Sequence, residues 1–199
     1  MAKKYEKYKK ALVVLMEREV IDFENRHVPG NIRHVAKVSI DGTDMRINEP
    51  TPWSVKWYSH KFRAAGLRYE IGICIVSGDI VWVIGGYACG DWPDLEISRN
   101  GILTLLDDGE KVIADSGYRG DDRILHKTGE NNSFTARVRA EVRARHETVN
   151  ARIKVFAVAS GKFRHTLDMH TMCIYSVVNI VQLRIMYEGA LFEVGYDEF

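Results

Sequence analysis

Two apolar runs held apart by three turn residues limit what this chain can fold into. Leu67 to Val76 and Ile80 to Ile84 flank Ser77-Gly78-Asp79, a glycine-centred turn that reads as an antiparallel hairpin. The second run is almost wholly apolar, as in a central strand buried on both faces. Such a hairpin needs elements above and below it, and the rest of the chain supplies them. Upstream, His34 to Ile40 alternates apolar and polar residues and reads as a strand ending at Asp41, with Met45 to Ile47 as its continuation. Downstream, Lys111 to Ala114 reads as a short buried strand ending at Asp115, followed by a turn over Ser116 to Gly120. Helices are expected over 5–24, from Asp94 to about Leu106, over Phe134 to Val158 where Gly and Pro are absent, and over Asp168 to Glu188. Asp94, midway between Asp41 and Glu147 and so a rival of Asp115 by spacing, is expected instead as the N-cap of the second helix, and Asp121 to Ser133 as irregular chain.

The order is therefore α-β-β-β-α-β-α-α. Strands joined by tight turns run antiparallel, and a strand reached through a helix returns parallel to a neighbour. The expected fold is α/β, a mixed five-stranded or near-five-stranded sheet with helices on both faces. Residues 1–30 read as a helical appendage and 31–199 as one domain, which 199 residues accommodate.

Several classes are excluded. No run approaches the roughly 18 apolar residues of a membrane span. The start, Met1-Ala2-Lys3-Lys4-Tyr5, lacks the apolar core of a secretory signal. Cys74, Cys89 and Cys173 are odd in number and far apart, which suits a reducing compartment. The expected location is the nucleus in a eukaryote or otherwise the cytoplasm. No phosphate-cradling glycine motif and no GxSxG elbow is present. His165, His170 and Cys173 lack the paired spacing and fourth ligand of a zinc site.

Charge is unevenly spread. Between Phe134 and His165 stand Arg137, Arg139, Arg143, Arg145, Arg152, Lys154, Lys162 and Arg164 against only Glu141 and Glu147, in a chain of net charge +1. A basic stripe on a chain otherwise net acidic suits a polyanion; a solvated helix face accounts for it equally well.

Asp41 and Asp115 end two strands that would be neighbours, so their carboxylates would meet at one sheet edge. On the helix over 134–158, Val138, Val142, Val149, Ile153 and Phe156 form one apolar stripe. Glu147 lies opposite, among Ala136, Ala140, Ala144 and Ala151, a face expected against the sheet edge. Gathered carboxylates repel unless a cation sits between them, and magnesium prefers such oxygen ligands. The bland alternatives are turn-forming aspartates and an exposed Glu147 paired with Arg143. Trp57, Tyr58, His60 and Lys61 suit either DNA contact or packing under a loop.

Stretches along residues 35–185 carry a resemblance in their order: Val38-Ser-Ile-Asp-Gly-Thr-Asp-Met-Arg-Ile47, Trp57-Tyr-Ser-His-Lys61, Leu67-Arg-Tyr-Glu-Ile-Gly-Ile73, Gly78-Asp-Ile-Val-Trp82, Trp92-Pro-Asp94, Ala114-Asp-Ser-Gly-Tyr-Arg-Gly120 and Ala144-Arg-His-Glu-Thr-Val-Asn150. The set resembles the DDE-superfamily endonuclease domain of Harbinger-like and IS4-like transposases. That resemblance implies an RNase H-like fold and a metal-dependent nuclease that cleaves DNA and transfers strands. It puts the catalytic, metal-binding triad at Asp41, Asp115 and Glu147, with magnesium or manganese as cofactor, as two ions. Lys61, Arg139, Arg143, Arg145 and His146 are the expected DNA contacts. DNA is the expected partner, alongside a separate DNA-recognition protein or domain and a second copy of the chain; a membrane is not. Two departures stand out. The stretch before the first strand is shorter than the helix-turn-helix region usual upstream in the family, and Gly85 to Asp91 differs from the family's Pro-containing loop. The alternative is a domesticated or decayed copy that binds DNA or protein without cutting.

Overall fold

Two eleven-residue strands, β1 (Ala36–Arg46) and β3 (Ala64–Cys74), pair antiparallel at the centre of the molecule, in register from Val38 opposite Cys74 to Arg46 opposite Gly66. The computed structural model describes residues 10–11, 13–14, 20–29, 34–126 and 133–195, with side chains from 137 in the last stretch. Most of the expected 5–24 helix and of the 1–30 appendage lies outside the described residues; Phe23–Arg26 is a 3-10 turn.

The remaining strands are β2 (Tyr58–Ser59), β4 (Ile80–Ala88), β5 (Lys111–Ile113) and β6 (Ile124–Leu125). The hairpin at Ser77-Gly78-Asp79 forms as expected, with Gly78 at φ +79° and β4 antiparallel to β3. β5 returns parallel to β1, and β6 parallel to β5. The main path is β4-β3-β1-β5-β6, with two-residue β2 added on β3, so β4, expected at the centre from its apolar run, is an edge strand whose residues 82–87 are half-buried. This six-stranded mixed sheet is the expected α/β, RNase H-like arrangement. β6 falls inside the stretch expected to be irregular; at two residues it is too short for a periodic signal.

Helices cover both faces. α1 (Asp94–Asn100) gives way to a 3-10 turn at Ile102–Thr104, so the expected helix breaks at Gly101. α2 spans Ser133–Lys154, α3 Ala157–Ser160 and α4 Leu167–Glu188. The helix expected to reach Val158 stops at Lys154, and Phe156 is an extended cap to α3.

Strand alternation sorts β1 between two cores. Val38 and Ile40 pack with Phe23, Ile102, Leu103 and Tyr118 on the α1 face. Met45 and Ile47 pack with Val149, Ile153, Val177 and Ile185 on the face of α2 and α4. Ser39 and Asp41 share that second face, where Ser39 Oγ lies 2.9 Å from His146 Nε2.

Candidate metal and nucleic-acid site

Asp41 does not end its strand. β1 continues through Gly42 and Thr43 to Arg46 because β3 pairs it throughout. The other edge behaves differently. β5 pairs β1 only up to Ser39 opposite Ile113, so Asp41 sits just where the neighbouring strand departs. Asp115 lies two residues past the end of β5 and caps the 3-10 turn Ser116–Tyr118, its Oδ1 accepting from the Gly117 N–H at 2.7 Å. Burial raises the Asp41 carboxyl above its ordinary pKa; the Lys61 charge opposes this and the Asp115 charge adds to it.

Asp41 has two polar supports. Asn150 Nδ2 on α2 donates to its Oδ2 at 3.2 Å. Lys61 Nζ donates to the Gly42 carbonyl at 2.6 Å, beside it.

Glu147 stands off. Its side chain is 69% exposed and pairs with Arg143 at 3.3 Å. The alanine face expected against the sheet faces solvent instead: Ala140 and Ala151 are exposed. Contact with the sheet and its neighbours runs along Val142, Arg145, His146, Val149 and Ile153, all buried. The expectation that Arg145 and His146 contact DNA is corrected by this placement. Arg145 gives its guanidinium to the carbonyls of Ile75 and Phe192. His146 is buried against Ser39, and burial lowers its pKa to about 4. Their spacing carried the signal, because 142, 145, 146, 149 and 153 are three or four apart and form one helix face. Arg139 is partly buried, Arg143 exposed on its ion pair, and Lys61 about half exposed beside Gly42.

Asp94 is the residue the sequence misplaced. The N-cap of α1 is Pro93, without any side-chain cap bond. Asp94 follows it and turns its carboxylate to the sheet, where a Cβ on Gly42 would overlap it. Its Oδ1 is buried without a hydrogen bond, 3.4 Å from Arg68 Nε. Burial raises its pKa against the charges of Arg68 and Lys61. Only the close approach of α1 to Gly42 reveals this, and no local motif encodes it. Gly42 is on the α1 face and Asp41 on the other, so Asp94 and Asp41 flank the strand from opposite sides, with Asp115 acting electrostatically on both. Burial raises the pKa of the Tyr118 hydroxyl well above the ordinary value, and the charges of Glu70, Asp94, Asp41 and Asp115 add to it.

Asp41 and Asp115 offer carboxylate oxygens, whereas the buried, unbonded Asp94 Oδ1 belongs to the other face of β1 and faces Arg68. Asp41 and Asp115 fit a hard divalent cation on that chemistry. Among the described residues no three His, Cys, Asp or Glu side chains converge on one metal position, in keeping with the outward turn of Glu147.

A family model, that of the DDE superfamily endonuclease, matches residues 40–182. The match spans more than half of the chain, from β1 into α4, and the chain belongs to this family of nucleases. Neither the curated proteins nor the solved structures searched gave a match.

Proposed function

We propose that this chain is the catalytic domain of a DDE transposase, acting on DNA phosphodiesters. The observation that carries the reading is the family match over residues 40–182, with Asp41 on β1 just past the last residue paired with β5 and Asp115 two residues past the end of β5. Asp41 and Asp115 would hold divalent magnesium or manganese, and Glu147 would supply the third carboxylate. A pair of such ions supplies charge stabilisation to the attacking and leaving oxygens of a phosphodiester. The protein residues orient the site. Asn150 fixes the Asp41 carboxylate, the Gly117 N–H fixes Asp115, and Lys61, bonded to the Gly42 carbonyl and 3.9 Å from Asp44, would offer its cation to a phosphate next to Asp41. Exposed Arg143 and partly buried Arg139 extend the basic surface along α2.

A second reading, a decayed or domesticated DNA-binding module, draws on one observation. The α2 side chain touching Asp41 is the amide of Asn150, while Glu147 faces solvent.

Thermal melting with manganese tests the assembled site. Ligand binding to the folded state raises stability by mass action. Manganese at millimolar concentration raises the melting temperature of the wild type, and Asp41→Asn or Asp115→Asn removes most of that rise. An unchanged melting temperature in the wild type would contradict a metal-binding pair.

A further inference from the structure

The fold sorts the basic run between Phe134 and His165. Arg145 is buried on backbone carbonyls, and Arg137 and Arg143 are tied to Glu141 and Glu147, each at 3.3 Å. Lys162 and Arg164 are exposed, and no ion pair or side-chain hydrogen bond engages them among the described residues. β1 places them. The Phe163 N–H donates to the Arg46 carbonyl at 3.0 Å, and the Phe163 carbonyl accepts from the Asn48 N–H at 2.7 Å, a parallel bridge to Ile47. Ile47 and Phe163 both pack into the core under α2 and α4. Extended chain alternates its side chains, so Arg46, Lys162 and Arg164 turn together to the other side. Arg46 is likewise exposed and unpaired.

The same bridge bounds an open edge. The Ile47 N–H donates to the Ala65 carbonyl of β3, so Phe163 takes the opposite edge of β1, the one β5 leaves after Ser39. Between Ser39 and Ile47 no strand among the described residues pairs that edge. Asp41 stands near one end of the gap and Arg46 at the other, about 17 Å along the strand at about 3.3 Å per residue. Lys61 Nζ lies in the gap on the Gly42 carbonyl.

We propose that Arg46, Lys162 and Arg164 form a phosphate clamp that holds the DNA backbone where it leaves the acidic edge along the open side of β1. The proposal rests on the DNA reading above and adds a second contact point to it. Unpaired cations grouped on one surface bind a duplex by releasing its counterions, whatever its sequence. Charges recur about every 3.4 Å along one strand of a duplex, so the clamp holds DNA about five nucleotides from the bond at Asp41 and Asp115.

Fluorescence anisotropy of the full chain with a duplex two helical turns long, in EDTA, tests the clamp without catalysis. The logarithm of affinity falls linearly with the logarithm of salt concentration. The combined Arg46→Ala, Lys162→Ala, Arg164→Ala variant flattens that slope by about two to three units, roughly one per lost phosphate contact. The combined Arg99→Ala, Arg137→Ala, Arg184→Ala variant loses the same formal charge, but from cations tied to Glu96, Glu141 and Glu188, and flattens it by less than about one unit. Arg46→Lys with Arg164→Lys retains the wild-type slope, because the clamp needs charge rather than a forked donor. All six positions are exposed, and thermal melting checks that each variant is folded. A slope left unaltered by the clamp variant, or flattened equally by both triple variants, overturns the clamp and leaves the DNA reading standing. Absence of duplex binding by the wild type overturns both.

Discussion

Asn150 donates to Asp41 Oδ2 at 3.2 Å, while Glu147, three residues earlier on the same helix, pairs with Arg143 in solvent at 3.3 Å. The helix thus meets the acidic edge with an amide, which holds Asp41 without adding a charge. Asn150→Asp replaces that donor with a carboxylate facing another. The metal-free protein should lose about 1–2 kcal/mol from the unpaired repulsion, a fall of about 2–8 °C in melting temperature. Manganese should restore the loss. A variant that melts at the wild-type temperature in EDTA would contradict the contact.

Glu147 separates stability from function. An exposed i,i+4 ion pair contributes about 0.3–0.5 kcal/mol, so Glu147→Gln should leave the melting temperature within about 2 °C of wild type. If Glu147 supplies the third carboxylate during turnover, the same variant loses nearly all DNA cleavage. Full cleavage by Glu147→Gln would remove it from the site.

Gly42 and Asp94 should be coupled. A methyl group at Gly42 runs into the Asp94 carboxylate, which Arg68 holds in place. Gly42→Ala should cost about 1–3 kcal/mol by overpacking. In the Asp94→Ala background the same change should cost about 1 kcal/mol less, the coupling expected of residues in contact. Additive losses in urea denaturation would contradict the approach of α1 to β1.

Buried Glu70 predicts an unusual pH dependence. It accepts from the Ser98 hydroxyl and from Trp82 Nε1, and burial raises its pKa to about 7. The folded state holds this proton more tightly than the unfolded one, so its contribution is largest at low pH and is lost as pH rises towards 7. His146 and His170 act oppositely. Burial lowers both to about 4, so they disfavour the folded state as pH falls below the ordinary histidine value. Glu70→Gln should therefore melt higher than wild type at about pH 8 and show a steeper rise in melting temperature between about pH 4.5 and 6.5. A variant whose pH profile parallels wild type would contradict a neutralised Glu70 carboxyl.

The sheet was legible where period and punctuation agreed. The hairpin at Gly78, the return to β5 through α1, and the buried stripe Val138-Val142-Val149-Ile153 all follow from local pattern. What escaped were features set by tertiary contact. Asp41 followed by Gly-Thr looks like a strand end, yet pairing with β3 carries the strand on. Asp94 after Pro93 looks like a cap, yet its carboxylate is drawn to Arg68. Arg145 and His146 look like phosphate ligands because they are polar, yet their spacing places them inside, where backbone carbonyls and Ser39 satisfy them. The parallel return of β5 beside β1 followed from the crossover through α1, and it sets Asp41 and Asp115 near the ends of neighbouring strands.

Nicking of supercoiled plasmid with magnesium or manganese is the most direct test of the acidic pair. The wild type should convert supercoiled to open-circular DNA only when the metal is present. Asp115→Asn and Asp41→Asn should abolish conversion, with Asp115→Asn retaining at least wild-type stability because it relieves repulsion. Asp94→Asn, on the opposite face of β1, should retain substantial activity. Absence of metal-dependent nicking in the folded wild type, or nicking that survives Asp115→Asn but not Asp94→Asn, would contradict the assignment of Asp41 and Asp115 as the catalytic pair.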